Sequence, residues 1–258
     1  VSCGYDVSGI ARPNSKNIDN IKDIKDKIKL YYFDLSKDDV DTMDFDIDKK
    51  EDVIMIHMAW DSSSTLGRND ESLQKNNYDT SIKIYELSKR YNTKKFIFTS
   101  SQAEDNDTPY GRYKKMFYDK CKLNDNFIHL RIFSIYGEND YHHTLIKYLV
   151  SCVKEKKDAA VGKCEHIWNY LYIDDFVRML RCFIDNDVDT SLSYDIASDD
   201  NRLLKDYISY FTDRYGLNII YGGRSGEDEK FSIPDITNTK KVLGTSFKFT
   251  KFMQKYNI

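Results

Sequence analysis

The stretch "KKFIFTSSQAEDNDTPYGRYKKMFYDK" (94–120) opens with a short apolar run, passes a pair of serines, and resumes at a Pro-Tyr-Gly signal. The run "KKFIFTSS" (94–101) is nearly continuous rather than alternating. That pattern marks a strand buried on both faces, as in a parallel sheet covered by helices. From Tyr110 onward the chain reads as a helix, on which Tyr110 and Lys114 are surface neighbours one turn apart. A nearby cation favours phenolate, which makes a tyrosine usable as an acid or base near neutrality. The spacing alone decides nothing. The chain has 20 Tyr, and the same interval recurs at Tyr85 and Lys89, Tyr91 and Lys95, and Tyr118 and Lys122.

Working outward, similar apolar runs recur at 5–11, 29–35, 52–60 and 126–137, with a helical stripe over 71–92 between the third run and the fourth. Alternation of this kind predicts an α/β fold, a doubly wound Rossmann-type parallel sheet. Ligands of open α/β sheets bind beyond the carboxyl ends of the strands. Those ends are Arg12, Asp34, His57 to Trp60, Ser100 and Ser101, and Ser134 to Gly137. A helix entering soon after Ser101 places Tyr110 and Lys114 there, a setting the three other Tyr/Lys pairs lack. Further on, 170–185 enters as a strand and leaves as a helix, with Asp174 and Asp175 suited to its N-terminus. Residues 203–216 read as an amphipathic helix ended by Gly216. The expected organisation is a Rossmann-like domain over 1–137 with 170–198 returning to it, and a small C-terminal subdomain from 138–169 and 199–258.

Composition narrows the class. The 258 residues are 40% hydrophobic and 31% charged, with a formal charge of −3 spread along the chain. That suits a domain with a real core and gives no sign of a nucleic-acid surface. Cys3, Cys121, Cys152, Cys164 and Cys182 are scattered, with no CxxC. Free thiols in a reducing, cytoplasmic setting are expected rather than a disulfide frame or a metal site. No apolar run approaches the roughly 18 residues of a membrane span.

Eight segments in order resemble the extended short-chain dehydrogenase/reductase family, the NAD-dependent epimerase/dehydratase group. "FDL" at Asp34 resembles the strand end whose acid contacts adenine. "HMAW" (57–60), with Ala59, resembles the family's His-Leu-Ala-Ala beside the cofactor. Asn77 in "NNYDT" resembles the helix Asn of Asn-Val-x-Gly-Thr. "FIFTSS" resembles the strand ending in a catalytic hydroxyl, and "PYGRYK" the Tyr-xxx-Lys signature. "LRIFSIYGE", "NYLYIDDFVRML" and "PDITNTKKVLG" resemble three later family segments. The resemblance implies NAD or NADP as cofactor and a nucleotide-sugar substrate, and leaves a homodimer open. It implies hydride transfer with Tyr110 as proton donor or acceptor. Lys114 lowers its pKa and holds the nicotinamide ribose, and Ser101 bonds the reacting oxygen. Two residues keep a second reading on their own chemistry: Ser101 as the cap of a turn, and Asp34 as a helix cap or turn former in "FDLSKDD". His57 is expected to bond locally.

The chain also departs from the family pattern. It carries no Gly-x-x-Gly-x-x-Gly turn to hold a pyrophosphate. "CGYDVSGIAR" instead resembles the end of the family's first helix and its second strand. The expectation is an absent first βα unit, by truncation or by loss, and weak dinucleotide binding by these 258 residues. Dehydratases carry Asp-Glu after the catalytic hydroxyl; Gln102 and Ala103 stand here, which disfavours dehydration. Relatives reading Ser-Gln-Ala-Glu include nucleotide-sugar ketoreductases, which points to 4-keto reduction or epimerisation. At the substrate side, Ser134 takes the place of a family Asn and Trp168 that of a phosphate-gripping Arg, with Arg224 as a second phosphate contact. Arg12 ends the strand where NAD-specific members carry an acid, and a guanidinium suits a 2′-phosphate, so NADP is favoured. Intact Ser101, Tyr110 and Lys114 favour an enzyme. The absent glycine turn and Trp168 favour a non-catalytic dinucleotide sensor or scaffold.

Overall fold

The core of the molecule is a strand that hides both faces. In this computed structural model, which describes all residues except 16, 48–51, 62–63, 225–231 and 257, the strands in chain order are β1 (Ser8–Ala11), β2 (Lys29–Tyr32), β3 (Ile54–His57), β4 (Lys95–Ser101), β5 (Phe127–Ile132), β6 (Ser134–Tyr136), β7 (Ala159–Val161), β8 (Ile167–Tyr172), β9 (Ser193–Ile196), β10 (Asn201–Leu203) and β11 (Ile219–Tyr221). The helices are α1 (Thr65–Arg68), α2 (Glu71–Lys89), α3 (Pro109–Cys121), α4 (Leu145–Glu155), α5 (Ile173–Asp185), α6 (Leu204–Tyr215) and α7 (Thr237–Leu243).

β4 lies inside a parallel sheet of order β3-β4-β5-β9. Its alternate residues feed two cores. Phe96 and Phe98 pack with Ile84, Tyr85 and Leu87 of α2 and Phe117 of α3. Ile97 packs with Phe176, Met179 and Phe183 of α5 and with Leu243 of α7. Helices therefore cover both faces, the doubly wound α/β arrangement that near-continuous apolar runs demand. β1 and β2 pair in parallel as a separate two-stranded sheet.

A third core gathers α4, α6 and residues of β6, β7 and β8. Here β8 runs between antiparallel β10 and parallel β6, and β11 joins β7. The last helix lies in the 199–258 stretch but away from this third core. α7 packs on the main sheet, where Thr239 Oγ1 donates to Asp195 O of β9 at 2.8 Å, and Phe247 and Phe249 join the same core. Its short apolar face, Val242 and Leu243, suits either core, so sequence pattern cannot say which one it covers. Among the described residues no helix is long and apolar enough to cross a membrane.

Local chemistry fixes where α3 begins. Thr108 caps it, its hydroxyl accepting from Gly111 N at 3.2 Å, and Pro109 fills the first turn, where no donor is needed. Gly111 is required by contact rather than by its dihedrals. A Cβ there would lie 1.9 Å from Ala103 O and 2.8 Å from Asn106 O. The first turn of α3 thus sits directly on the 3-10 turn Gln102–Asp105 that follows β4.

Candidate active site

That seating brings Tyr110 to the end of β4, beside the Ser101 side chain, which acts on its phenol. The turn-capping reading of Ser101 holds: its Oγ accepts from Ala103 N at 3.2 Å and caps the 3-10 turn. One turn along α3, the Lys114 ammonium donates to Thr99 O at 2.9 Å. It lies 4.5 Å from the centre of the Trp60 ring and 5.3 Å from that of Tyr110. Ser101, Tyr110 and Lys114 therefore converge as the strand–helix reading expects.

The electrostatics differ from the expectation in one respect. Burial pushes the Tyr110 phenol up; Arg68 and the Ser101 side chain pull it down, and the Glu104 charge raises it. Lys114 itself is only 3% exposed. Burial pulls its ammonium down to about 7, Glu104 resisting and Arg68 assisting. In this closed arrangement desolvation, not the neighbouring cation, sets the phenol. His57 bonds locally as expected: its Nε2 is 2.8 Å from Ser81 Oγ, and burial, helped by the Lys114 charge, pulls it down to about 3.

A cavity of about 390 Å³ lies beyond the ends of β1, β2 and β3, and its lining includes Arg12, Asp34, Ala59, Trp60 and Asn77. All four of the residues expected to hold only a cofactor thus reach one space. Arg12 faces Asp61 across 3.7 Å at an exposed edge. Asp34 also forms the turn that its sequence allowed: its Oδ1 accepts from Ser36 N at 3.1 Å and Ser36 Oγ at 2.6 Å. Those hydrogen bonds hold its carboxyl below the usual range, against a small cost of burial and with help from Lys37. Asn77 clamps Asp61, accepting from its N and donating to its O, both at 3.0 Å. A carboxylate, a guanidinium and apolar walls such as Phe33 and Leu35 suit the adenosine half of a dinucleotide. Tyr110 and Lys114 are not among the lining residues; Trp60 stands between them and the cavity.

The substrate-side residues are spread more widely. Ser134 accepts from Gln102 Nε2 at 3.2 Å, beside Ser101. Trp168 lies on β8 opposite Arg202 of β10, with its ring 5.3 Å from that of His166. Arg224 follows β11 and stacks its guanidinium 4.7 Å from the centre of the Tyr148 ring. Trp168 and Tyr148 both pack against the third core.

Sequence reading missed the residues that enclose the pair. Trp60, read only as part of an Ala-Ala-like segment, donates from Nε1 to Gln74 Oε1 at 2.6 Å, and Gln74 Nε2 donates to Gly67 O at 2.8 Å. The Arg68 guanidinium lies 5.2 Å from the centre of the Tyr110 ring. The available signal was polar residues on the inward face of α2: Gln74, Asn77 and Ser81 are all buried. Buried amides and hydroxyls need partners: Gln74 and Asn77 hold Trp60 and Asp61, and Ser81 bonds the His57 ring.

The sequence profile of the NAD dependent epimerase/dehydratase family matches residues 2–197. A CDP-abequose synthase of Salmonella typhimurium strain LT2 is 23% identical over 145 residues, 50% of this chain and 48% of that protein. The matched part thus spans about half the length of that curated relative. A UDP-glucose 4-epimerase of Thermotoga maritima superposes with a TM-score of 0.75 at 18% identity, covering 93% of this chain and 85% of that one. A UDP-N-acetylglucosamine 4-epimerase of Methanobrevibacter ruminantium M1 gives 0.76 at 20% identity, covering 96% and 86%. A dTDP-glucose 4,6-dehydratase of Bacillus anthracis, in complex with NAD, gives 0.74 at 15% identity, covering 97% and 85%. At these identities the structural likeness establishes the fold.

Proposed function

The chain belongs to the NAD-dependent epimerase/dehydratase family, and from that premise we propose that it is a nicotinamide-dependent oxidoreductase or epimerase acting on a nucleotide-activated sugar. The observation that carries this reading is the meeting of Ser101 and Tyr110 at the end of β4, with Lys114 one turn on. A bound nicotinamide dinucleotide supplies the hydride acceptor or donor. Arg12, Asp34, Ala59 and Asn77 hold its adenosine half in the cavity, and Lys114 serves the nicotinamide ribose. Tyr110 gives a proton to the sugar oxygen in reduction and takes it back in oxidation. Ser101 orients that oxygen by hydrogen bonding. Gln102 and Ala103 offer no acid–base pair for water elimination, so the reaction is 4-keto reduction or epimerisation. The names of the abequose synthase and of the two epimerases support a nucleotide sugar as substrate. The third core, with Trp168 and Arg224, forms the substrate subdomain, without α7.

NADP is the preferred cofactor in this reading, through Arg12. Its partner Asp61 is half-buried but 3.7 Å away, and such a partly exposed pair is cheap to exchange. Arg12→Ala is expected to weaken NADP by about tenfold or more, because a hydrogen bond to a charged group is worth roughly 1.5–3 kcal/mol. NAD affinity should hardly move. Calorimetric titration of both variants with both cofactors decides it, and equal losses for NAD and NADP would remove Arg12 from the choice. The same titration measures how firmly these 258 residues hold a dinucleotide without a glycine-rich turn.

A second reading, dinucleotide binding without turnover, is favoured by the enclosure of the pair. Tyr110 is only 8% exposed and is shielded from the cavity by Trp60. Tight NADP binding with no turnover of any 4-keto nucleotide sugar would select that reading.

A further inference from the structure

Lys114 poses an electrostatic problem that the acid–base assignment does not solve. Its ammonium is buried, its one hydrogen bond is to the carbonyl of Thr99, and among the described residues no carboxylate pairs with it directly. Aromatic faces of Trp60, Phe98 and Tyr110 surround it. A buried charge is tolerated only with compensation nearby. The charged and titratable groups that face it are Arg68 from α1, His57 from the end of β3, Tyr110 from its own helix and Glu104 from the 3-10 turn. His57 is neutral and Arg68 repels, which leaves Glu104.

Glu104 is itself out of place for a surface acid. Its side chain is only 6% exposed. It accepts from the Ser100 hydroxyl, and from His129 Nε2 at 3.0 Å. The other nitrogen of His129 is 2.7 Å from Ser193 Oγ, and its ring stacks on Tyr118 with centres 4.0 Å apart. Arg131, next but one along β5, adds positive charge on the same side. Burial raises the Glu104 carboxyl, but His129, Ser100 and the Lys114 charge together hold it below its ordinary range. The arrangement is a built holder for one carboxylate, set in the turn on which Gly111 seats α3.

We propose that Glu104 is a positioning residue for the Tyr110–Lys114 pair, its buried carboxylate being the counter-charge of the Lys114 ammonium and His129 the residue that fixes it there. The inference rests on the acid–base reading of that pair but is tested without substrate or cofactor. Turnover can therefore fail while the counter-charge stands, and the reverse. Isotope-labelled lysine is observed by NMR at its ε-carbon across a pH series, and the Lys114 signal is identified by its loss in Lys114→Met. Glu104→Gln keeps size and polarity but removes the charge. It should move the Lys114 midpoint to lower pH by at least about one pH unit, the contribution of a close opposite charge. Glu104→Asp disturbs packing but keeps the charge, and should leave the midpoint nearer the wild type. An unmoved midpoint in Glu104→Gln overturns the proposal. Should Glu104→Gln not fold, the reciprocal measurement decides. With labelled glutamate, the Glu104 carboxyl should titrate at higher pH in Lys114→Met than in the wild type, and an unchanged Glu104 rejects the pairing.

Discussion

Tyr110→Phe is expected to lower turnover on a 4-keto nucleotide sugar by about 100- to 10,000-fold, the range of general acid–base contributions, with cofactor affinity nearly unchanged. Phenylalanine keeps the ring, and with it the edge-to-face contact with Trp60 at 6.4 Å and the Arg68 guanidinium above the face. Only the hydroxyl and its interaction with Ser101 are lost. Even a full hydrogen bond is worth only about 0.5–1.5 kcal/mol, too little to unfold the domain, so a fall in rate reports chemistry. Because burial raises the phenol, it is protonated at neutral pH and begins the reductive direction as a donor. Nicotinamide absorbance follows the reaction, and thermal unfolding confirms the fold. Turnover equal to the wild type would remove Tyr110 from the mechanism.

What sequence could and could not say follows from how each feature is encoded. β4 was legible because Phe96, Ile97 and Phe98 need two cores at once, and only a strand covered on both sides supplies them. The Tyr/Lys interval was not informative by itself. Lys89 and Lys122 also lie over their tyrosines, at 5.0 and 5.6 Å, with their ammonium ends at the surface. Position at a strand end separates Tyr110 and Lys114 from those pairs, and strand order was readable. The enclosure was not readable, because which side chain covers an ammonium depends on the loop joining β3 to α1. Trp60 reaches Lys114 only because Gln74, fourteen residues on, holds its indole. Glu104 looked like one more acid in "QAEDND"; its burial depends on His129, which lies on a neighbouring strand. Proximity points to Lys114 as the cation that lowers Tyr110; the cation that lowers it is Arg68, and burial outweighs that. Pattern thus gave the sheet and the meeting of Ser101, Tyr110 and Lys114 at one strand end, whereas pairings between distant segments gave the charge environment.

Gly111→Ala should be the most damaging small substitution near the site. The added Cβ meets backbone oxygen at 1.9 Å and 2.8 Å. Neither atom is the end of a flexible side chain, so α3 or the 102–105 turn must shift as a body. Overpacking of this kind costs about 1–3 kcal/mol, occasionally more. Each kcal/mol lowers Tm by roughly 2–4 °C in a domain of this size. The consequence for function is larger than for stability. Lifting the first turn of α3 carries Tyr110 off Ser101 and Lys114 off Thr99 together, and a displacement of about 1 Å can cost a hundredfold in rate. Gly216→Ala is the control. Gly216 ends α6 at φ +65°, with nothing within 4 Å of an added Cβ. It should cost about 1 kcal/mol in backbone strain, while NADP binding and turnover stay near wild type. Thermal unfolding and turnover measured on both variants separate the two effects. If Gly111→Ala matches Gly216→Ala in stability and the wild type in turnover, the seating of α3 on the 102–105 turn is not what places Tyr110.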